Sequence, residues 1–392
     1  MMTIPVVLAG ARGHGAWHLR NIRRLAGDGL VRLAGICELD PLTAAELDGF
    51  GAAEDAPEDA PEQSADFAGL LERTGARIAV VCTPIPTHRE LAEAAAARGV
   101  HLLLEKPPAP SYGEYQRLQQ AAAEADIACQ IGFQSLGSHA IPAIRGLIAG
   151  GAIGEVRGLG AAGAWARDEA YYRRAPWAGR RRLDDGRDVV DGVLTNPLAH
   201  ALATALAVDG STGYGDMASI EPELFRANDI EADDTSCVRV TTTAGRQITV
   251  AATLCAERPD EPYVMVHGST GRITFWYKQD RVLVQRADAP PEDTVYGRTD
   301  LLENLVQHLT RGAGLLVPAA ATAAFMRCLE AVRTAPDPRP LPRTAWRTVP
   351  GEAAPRRVVR GIDGLVAAAA ETLSLYSELG ADWARSEEAA AR

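Results

Sequence analysis

Cysteine is scarce in this sequence, and what there is does not pair. The six cysteines are scattered through 392 residues with no C-x-x-C spacing, which argues against both a disulfide framework and a zinc site. No metal is expected. Long apolar runs are also missing, so no segment reads as a bilayer span. The apolar start, MMTIPVVLAGARGHG, lacks the basic leader of a secretory signal. Positive charge is in deficit: 40 basic against 51 acidic residues give a net charge of -11, which disfavours nucleic acid and anionic membranes as partners. Internal repeats are absent. From these absences a cytoplasmic chain with reduced thiols is expected.

What is present is an ordinary globular balance, 47% hydrophobic and 23% charged, in a chain long enough for two or three domains. The first third alternates strand and helix. Strands are expected at Ile4–Ala9, Val31–Cys37, Ile78–Cys82, Val100–Leu104 and Ile127–Ile131, with helices at Ala16–Ala26, Arg89–Arg98 and Tyr112–Ala125. The acidic, proline-interrupted GAAEDAPEDAPEQSADF reads as a surface loop leading into a short helix. Such alternation implies a parallel, doubly wound sheet. After a helix at Ile141–Ala149, β-rich segments dominate: GEVRGLGAAGAWA, TSCVRVTTTAG, RQITVAATLCA, YVMVHGSTG, RITFWY and RVLVQR. They point to an antiparallel sheet with one covered face, and a helix at Asn196–Val208 can supply the cover. PDPRPLPRTAWRTVPGEAAPRR reads as an extended arm, followed by a helix at Ile362–Glu378 with Gly380 as its stop. The expected division is a first domain at 1–132, a second at 133–335, and an arm with its helix at 336–392 that could support a homo-oligomer.

The stretch VVLAGARGHGAWHLRNI places Gly10, Gly13 and Gly15 between a strand and a helix. A glycine turn there lets backbone approach a pyrophosphate at a helix N-terminus, as in a Rossmann unit. Arg12 stands where the usual middle glycine would be, and His14 completes the turn. Glu38, at the end of the second strand, can bond the adenosine ribose hydroxyls and would repel a 2′-phosphate, favouring NAD. Arg12 leaves NADP open, because a guanidinium can bind a phosphate. Thr83-Pro84 and Glu105-Lys106-Pro107 follow further parallel strands, at the ends where such sheets hold ligands. A partly buried lysine there can exchange a proton with a substrate hydroxyl.

AGARGHGAWHLRNI, CELDP, VVCTPIPTHRELAEAAAARGVHLLLEKP, QIGFQ and GAIGEVRG together resemble the Gfo/Idh/MocA family of oxidoreductases, over nearly the whole chain. The resemblance is most specific at EKP and at the T-P-x-x-x-H segment, here Thr83, Pro84 and His88. It implies an α/β chain: an N-terminal Rossmann dinucleotide-binding domain plus a C-terminal α/β domain with a large, mostly antiparallel sheet. It further implies an NAD or NADP cofactor, a sugar or polyol substrate, and a role for Lys106 beside the nicotinamide in proton transfer. Cofactor contacts are expected from Gly10, Arg12, Gly13, His14, Gly15, Glu38, Thr83, Pro84, His88, Glu105 and Lys106.

In DGVLTNPLAHALATAL, His200 matches the family's catalytic histidine, whereas Asn196 departs from the family's usual aspartate. Four-residue spacing would put both on one helical face, and Asn196-Pro197 also makes a good helix start. An asparagine cannot charge-stabilise an imidazolium, so a neutral His200 and a larger role for Lys106 are expected. GAWARDEAYYRRAPWAGRRRLDDGRDVVDG is dense in Trp, Tyr, Arg and Asp, a mixture suited to sugars. Trp165, Arg167, Tyr172, Arg180 and Asp191 are therefore candidate substrate contacts, with Asn196 and His200. The reading is NAD-dependent hydride transfer at a secondary hydroxyl or carbonyl of a sugar, cyclitol or glycoside. Redox-neutral glycoside cleavage and a non-enzymatic ligand sensor are the alternatives.

Overall fold

A computed structural model describes residues 3–47, 50 and 60–385 of the chain. The chain forms two compact units: residues 1–134 with 299–320, and residues 135–298 with 321–392. Residues 299–320 thus return to the first unit, and the arm at 336–392 clusters with the second.

The first unit is built on six parallel strands: β1 (Ile4–Ala9), β2 (Val31–Cys37), β3 (Glu62–Ser64), β4 (Ile78–Val81), β5 (His101–Leu104) and β6 (Cys129–Ile131). Their order is β3-β2-β1-β4-β5-β6, with every pairing parallel. Val6, Val7, Leu8, Val80 and Leu104 are fully buried, as expected of strands covered on both faces. Helices α1 (Gly15–Gly27), α2 (Phe67–Thr74), α3 (His88–Ala96) and α4 (Tyr112–Glu124) make the crossovers. β3 is an addition to the expected elements, and residues 51–59 of the acidic loop lie outside the described residues. The order reverses between β1 and β4, which places the loops after these two strands at the switch point where ligands enter such sheets. The returning segment is pinned at β6: Gln130 donates to the Leu301 carbonyl at 2.5 Å and accepts from the Val317 amide at 3.0 Å.

The second unit holds α5 (Ala140–Ala149), β7 (Val156–Ala164), α6 (Glu169–Tyr172), α7 (Ala199–Asp209), and strands β8 (Met217–Arg226) through β14 (Ala289–Val295). Between these last two run β9 (Thr235–Thr242), β10 (Gln247–Thr253), β11 (Tyr263–Gly268), β12 (Gly271–Trp276) and β13 (Arg281–Arg286). α8 (Leu301–Arg311) lies in the returning segment of the first unit. α9 (Ala323–Thr334) and β15 (Arg339–Pro340) follow, then a hairpin of β16 (Trp346–Val349) and β17 (Arg356–Val359), and α10 (Ile362–Thr372). The nine-stranded sheet runs β14-β13-β12-β11-β7-β10-β9-β8-β15. It is antiparallel except where β7 meets β10 and β8 meets β15.

Both faces of this sheet are covered at its centre, not the one face expected. A Cβ on Gly160 would fall 1.9 Å from the Ala370 carbonyl oxygen of α10, and one on Gly163 would fall 2.7 Å from Leu198 at the start of α7. The odd separation places these two positions on opposite faces. Absent side chains in β7 therefore let a helix press on each side. α10 stops at Leu373, whose positive φ of 56° ends it earlier than the expected Glu378. Among the described residues, no helix is long and apolar enough to cross a membrane.

Candidate active site

The turn after β1 makes a tight backbone cradle. Gly10 has a φ of 82°, and a Cβ there would lie 2.5 Å from the Cys82 carbonyl oxygen at the end of β4. A Cβ on Gly15 would lie 1.8 Å from the Gly10 carbonyl oxygen. α1 opens with no side-chain cap and no acid in its first turn, so its leading N–H groups suit an anion. Glu38 reaches this turn from the end of β2: its Oε1 accepts from the amides of Ala11 at 2.6 Å and Arg12 at 3.1 Å. A turn with no room for Cβ at Gly10 and Gly15, with the Glu38 carboxylate beside it, is compatible with a dinucleotide. The Arg12 guanidinium, expected as a possible phosphate ligand, is engaged by acidic partners, with Glu38 Oε2 3.8 Å away. It bonds Glu46 at 2.8 Å and the carbonyls of Asp40 and Pro41, and its bond to Glu46 holds that carboxyl down at about 2.

Two residues expected to touch the cofactor are buried and bonded to the surrounding loops. His88 is buried, with Nε2 at 2.9 Å from the Thr83 carbonyl and Nδ1 at 3.0 Å from the Pro107 carbonyl. Burial lowers its pKa while the two carbonyls raise it, and the ring links the ends of β4 and β5. Glu105 is also buried. Its Oε1 accepts from His18 Nε2 at 2.9 Å and Gln134 Nε2 at 2.9 Å, with His14 Nε2 at 3.5 Å. Burial alone would raise its pKa, but the bonds from His14 and His18 outweigh it and hold the carboxyl well below the usual range. His14, His18 and Glu105 bring three ligand-type atoms within 4.8 Å of one another, a cluster of which the sequence shows only the four-residue spacing of the two histidines. Glu105 Oε2 accepts from the Lys106 amide at 3.1 Å. The lysine is thereby tied to the helix that opens at the glycine turn. Thr83 stands at the same strand ends, its Oγ1 2.7 Å from Thr87 Oγ1.

In the second unit, His200 lies in the first turn of α7, with its Nδ1 3.0 Å from Ser135 Oγ. Thr204 Oγ1 donates to the same Ser135 oxygen at 3.0 Å. Asn196 is not the cap of this helix. α7 starts at Ala199 with Leu198 at the cap, so residues 196 and 200 do not share a regular helical face. The Asn196 amide is engaged with another side chain: Nδ2 donates to Asp191 Oδ1 at 2.6 Å. Asp191 is 5% exposed, and its Oδ2 accepts from the Gly179 amide at 2.7 Å and Arg174 Nη2 at 3.2 Å. Burial raises its pKa, opposed by Arg174, the Gly179 amide and Asn196.

Arg174 belongs to a stacked ladder. The guanidinium of Arg167 lies 5.1 Å from the ring centres of both Trp165 and Tyr171, and that of Arg174 lies 3.7 Å from Tyr171 and 4.6 Å from Trp177. Cation–π contacts of this kind fix flat side chains in register. Trp165, Arg167 and Asp191 thus belong to one connected array. Tyr172 meets it edge-on, its ring centre 5.2 Å from that of Tyr171, whereas Arg180 is paired away from it. They line a separate cavity of about 1020 Å³ with Arg226, Arg333 and Arg357, and Arg180 pairs there with Asp184 at 2.6 Å. Arg174, Tyr171, Ser135 and Thr204 escape the sequence reading. Their contacts to the site residues are long-range or depend on stacking, although Arg174 and Tyr171 do lie in the same aromatic–arginine segment.

Comparison with known proteins agrees with this geometry. A profile of the GFO/IDH/MocA oxidoreductase family, NAD-binding Rossmann fold, matches residues 4–133, and the family's C-terminal domain profile matches 141–274. No curated protein sequence matches the chain. Among solved structures, the WlbA dehydrogenase from Chromobacterium violaceum, in complex with NADH and UDP-GlcNAcA, is similar with a TM-score of 0.70 at 16% identity. That likeness covers 85% of this chain and 93% of the other. UDP-N-acetylglucosamine 3-dehydrogenase GnnA from Acidithiobacillus ferrooxidans gives 0.65 at 17% identity, covering 85% and 97%. Aldose-aldose oxidoreductase from Caulobacter crescentus gives 0.67 at 18% identity, covering 84% and 96%. These likenesses establish the shared fold, and the two profile matches establish the rest: the chain belongs to the GFO/IDH/MocA family and is an NAD-binding oxidoreductase.

Proposed function

We propose that this oxidoreductase moves a hydride between NAD and a secondary hydroxyl or carbonyl of a sugar, cyclitol or sugar derivative, with Lys106 and His200 exchanging the hydroxyl proton. The observation that carries the reading is the identity of residue 106. Of the 40 basic residues, 38 are arginine, and Lys106 and Lys278 are the only lysines. An arginine cannot give up its proton in a protein, whereas a lysine can. A chain that uses arginine almost everywhere else keeps a titratable amine at the carboxyl end of β5, with its backbone held by Glu105.

Bound NAD supplies the hydride acceptor. The chain's own groups do the remainder. The Gly10–Gly15 turn and Glu38 hold the dinucleotide, and Lys106 takes the hydroxyl proton as its amine form. His200, oriented through Ser135 and Thr204, offers a second site for that proton. The stacked Trp165, Arg167 and Tyr171 present flat surfaces and donors suited to a polyol. The similar folds named above include proteins bound to UDP-GlcNAcA, acting on UDP-N-acetylglucosamine, or acting on aldoses, so sugars and sugar nucleotides form the panel to test. The experiment incubates NAD with inositols, aldoses and UDP-sugars, following NADH absorbance and product identity together. NADH formed in step with a keto product supports the reading. A consumed glycoside without NADH would replace it with redox-neutral cleavage, and no product from any of them would end it.

A further inference from the structure

The cavity of about 1020 Å³ lies wholly inside the second unit, and its walls are cationic. Seven arginines and four carboxylates line it, in a chain whose net charge is -11. The arginines converge from separate elements: the run 180–182, Arg226 at the end of β8, Arg333 in α9 and Arg357 in β17. The ion pairs on this wall are lopsided. Arg180, Arg181 and Arg357 have side chains 14–29% exposed, whereas their partners Asp184, Asp337 and Asp229 are 86–95% exposed. The guanidinium groups are packed into the wall and the carboxylates stand in solvent. Backbone holds two of the guanidinium groups: Arg181 donates to the carbonyls of Val332, Arg333 and Ala335 at 2.9–3.1 Å, and Arg357 donates to that of Ala227.

Donors are left over. Arg226 acts on Asp229 through charge alone, and among the described residues its guanidinium has neither a hydrogen bond nor an ion pair. Arg180 uses only Nη2 for Asp184 and Glu231. Guanidinium forks with spare N–H groups match the oxygens of a phosphate. Ion pairs to solvated partners contribute little, so an incoming anion of higher charge displaces the rim carboxylates with small loss. The volume is at the upper end for a small-molecule site, about 300–1,000 Å³, and exceeds what a lone phosphate fills. Tyr172, Ala178 and Ile230 add apolar wall for an organic part. We infer that this cavity binds a small molecule carrying a phosphate or diphosphate ester, with Arg226 and Arg180 as its principal ligands. Such a site stands whether or not the hydride-transfer reading holds.

Inorganic pyrophosphate is the probe, titrated calorimetrically into the full chain with saturating NADH, which keeps the probe off the glycine turn. Saturable 1:1 binding is expected, weakening as salt rises from about 0.05 to 0.5 M. Arg226→Gln should weaken it about tenfold, and Arg180→Gln combined with Arg226→Gln about 100-fold, as charge-assisted hydrogen bonds are lost. Both variants should keep the melting temperature and NADH affinity of the unmodified protein, because the side chain at 226 is bonded to nothing and that at 180 only to exposed acids. Glu231→Gln keeps an acceptor for the Arg181 amide and removes one negative charge from the lining. It should tighten pyrophosphate binding about threefold, a gain that a merely structural role would not produce. Arg281→Gln, in β13 and outside the lining, is the charge-matched control and should change nothing.

A phosphate ester can arrive on the substrate, as in a sugar nucleotide, or as a separate effector. With a confirmed substrate, competitive inhibition by pyrophosphate identifies the first source, and a change in kcat at constant KM identifies the second. The inference is overturned if pyrophosphate shows no saturable binding, if it binds the double variant as tightly as the unmodified protein, or if it binds only when NADH is left out. Absence of NADH formation from every substrate would instead defeat the proposed function and leave the titration standing.

Discussion

Gly15 sits so near Gly10 that a methyl group on it would overlap the Gly10 carbonyl oxygen, at 1.8 Å. Gly13, between them, has open space around it and only a positive φ of 59° to satisfy. The two glycines therefore fail differently. Gly15→Ala forces the turn apart, at a cost of about 1–3 kcal/mol, and should abolish measurable NADH binding. Gly13→Ala carries only left-handed strain, about 1–2 kcal/mol, and should weaken binding by roughly tenfold. Gly27→Ala, with nothing within 4 Å, should leave the calorimetric titration unchanged.

Glu38 holds the turn through the amides of Ala11 and Arg12, and in the proposed binding mode its carboxylate would repel a 2′-phosphate. NADH should bind more tightly than NADPH, and Glu38→Ala should narrow the gap by about 1.5–3 kcal/mol, the value of a hydrogen bond to a charged group. Equal affinities in the unmodified protein would refute the assignment, since Arg12 is already engaged by Glu46.

Lys106→Arg keeps the charge and removes the ability to deprotonate. Turnover on a confirmed substrate should drop about 10²–10⁴-fold, the usual share of general acid–base catalysis, with NADH affinity little altered. Lys106→Met should behave alike. His200→Ala should also lower turnover and raise KM. Near-normal turnover in Lys106→Arg would show that charge alone, and no proton transfer, is needed there.

Glu105 links acid stability to the cofactor turn. Against the effect of burial, the bonds from His14 and His18 depress its folded-state pKa. The stability it adds is therefore complete above its unfolded value of about 4.3 and is lost as pH falls toward the folded value. Glu105→Gln should lower the melting temperature by a few degrees at pH 7, and the two melting curves should converge as pH drops below about 4. A constant gap at all pH values would mean that the carboxylate charge is not what holds His18.

Much of the first unit is legible in the sequence because buried parallel strands read as plain apolar runs, and each ends on its chemistry: Ala9 before the glycine turn, Cys37 before Glu38, Leu104 before Glu105 and Lys106. β3 is not legible, since Glu62-Gln63-Ser64 has no apolar residue to signal a strand at the sheet's edge. In the second unit, β8 and β14 escape for a related reason: MASIEPELFR and APPEDTV carry prolines and acids near the rims of the sheet. The start of α7 reads too early because Asn196-Pro197 resembles a cap, while the partner that claims the amide, Asp191, can be found only in three dimensions. The rarity of lysine, by contrast, is open to view and narrows the titratable amines to Lys106 and Lys278 without any structure.

Because the helix seated over Gly160 comes last in the chain, the order of synthesis bears on how this protein reaches its fold. β7 leaves the ribosome early, and the segment that covers it, from β15 through α10 to Trp383, is translated after every other strand of the sheet. Until Tyr376 joins Phe225 and Trp383 in their buried cluster, and Glu371 and Glu378 reach Arg272 and Arg239, the middle of the sheet has a bare apolar side. The second unit therefore completes its core late, and this apolar face of its sheet stays open to aggregation until residues 362–383 are made.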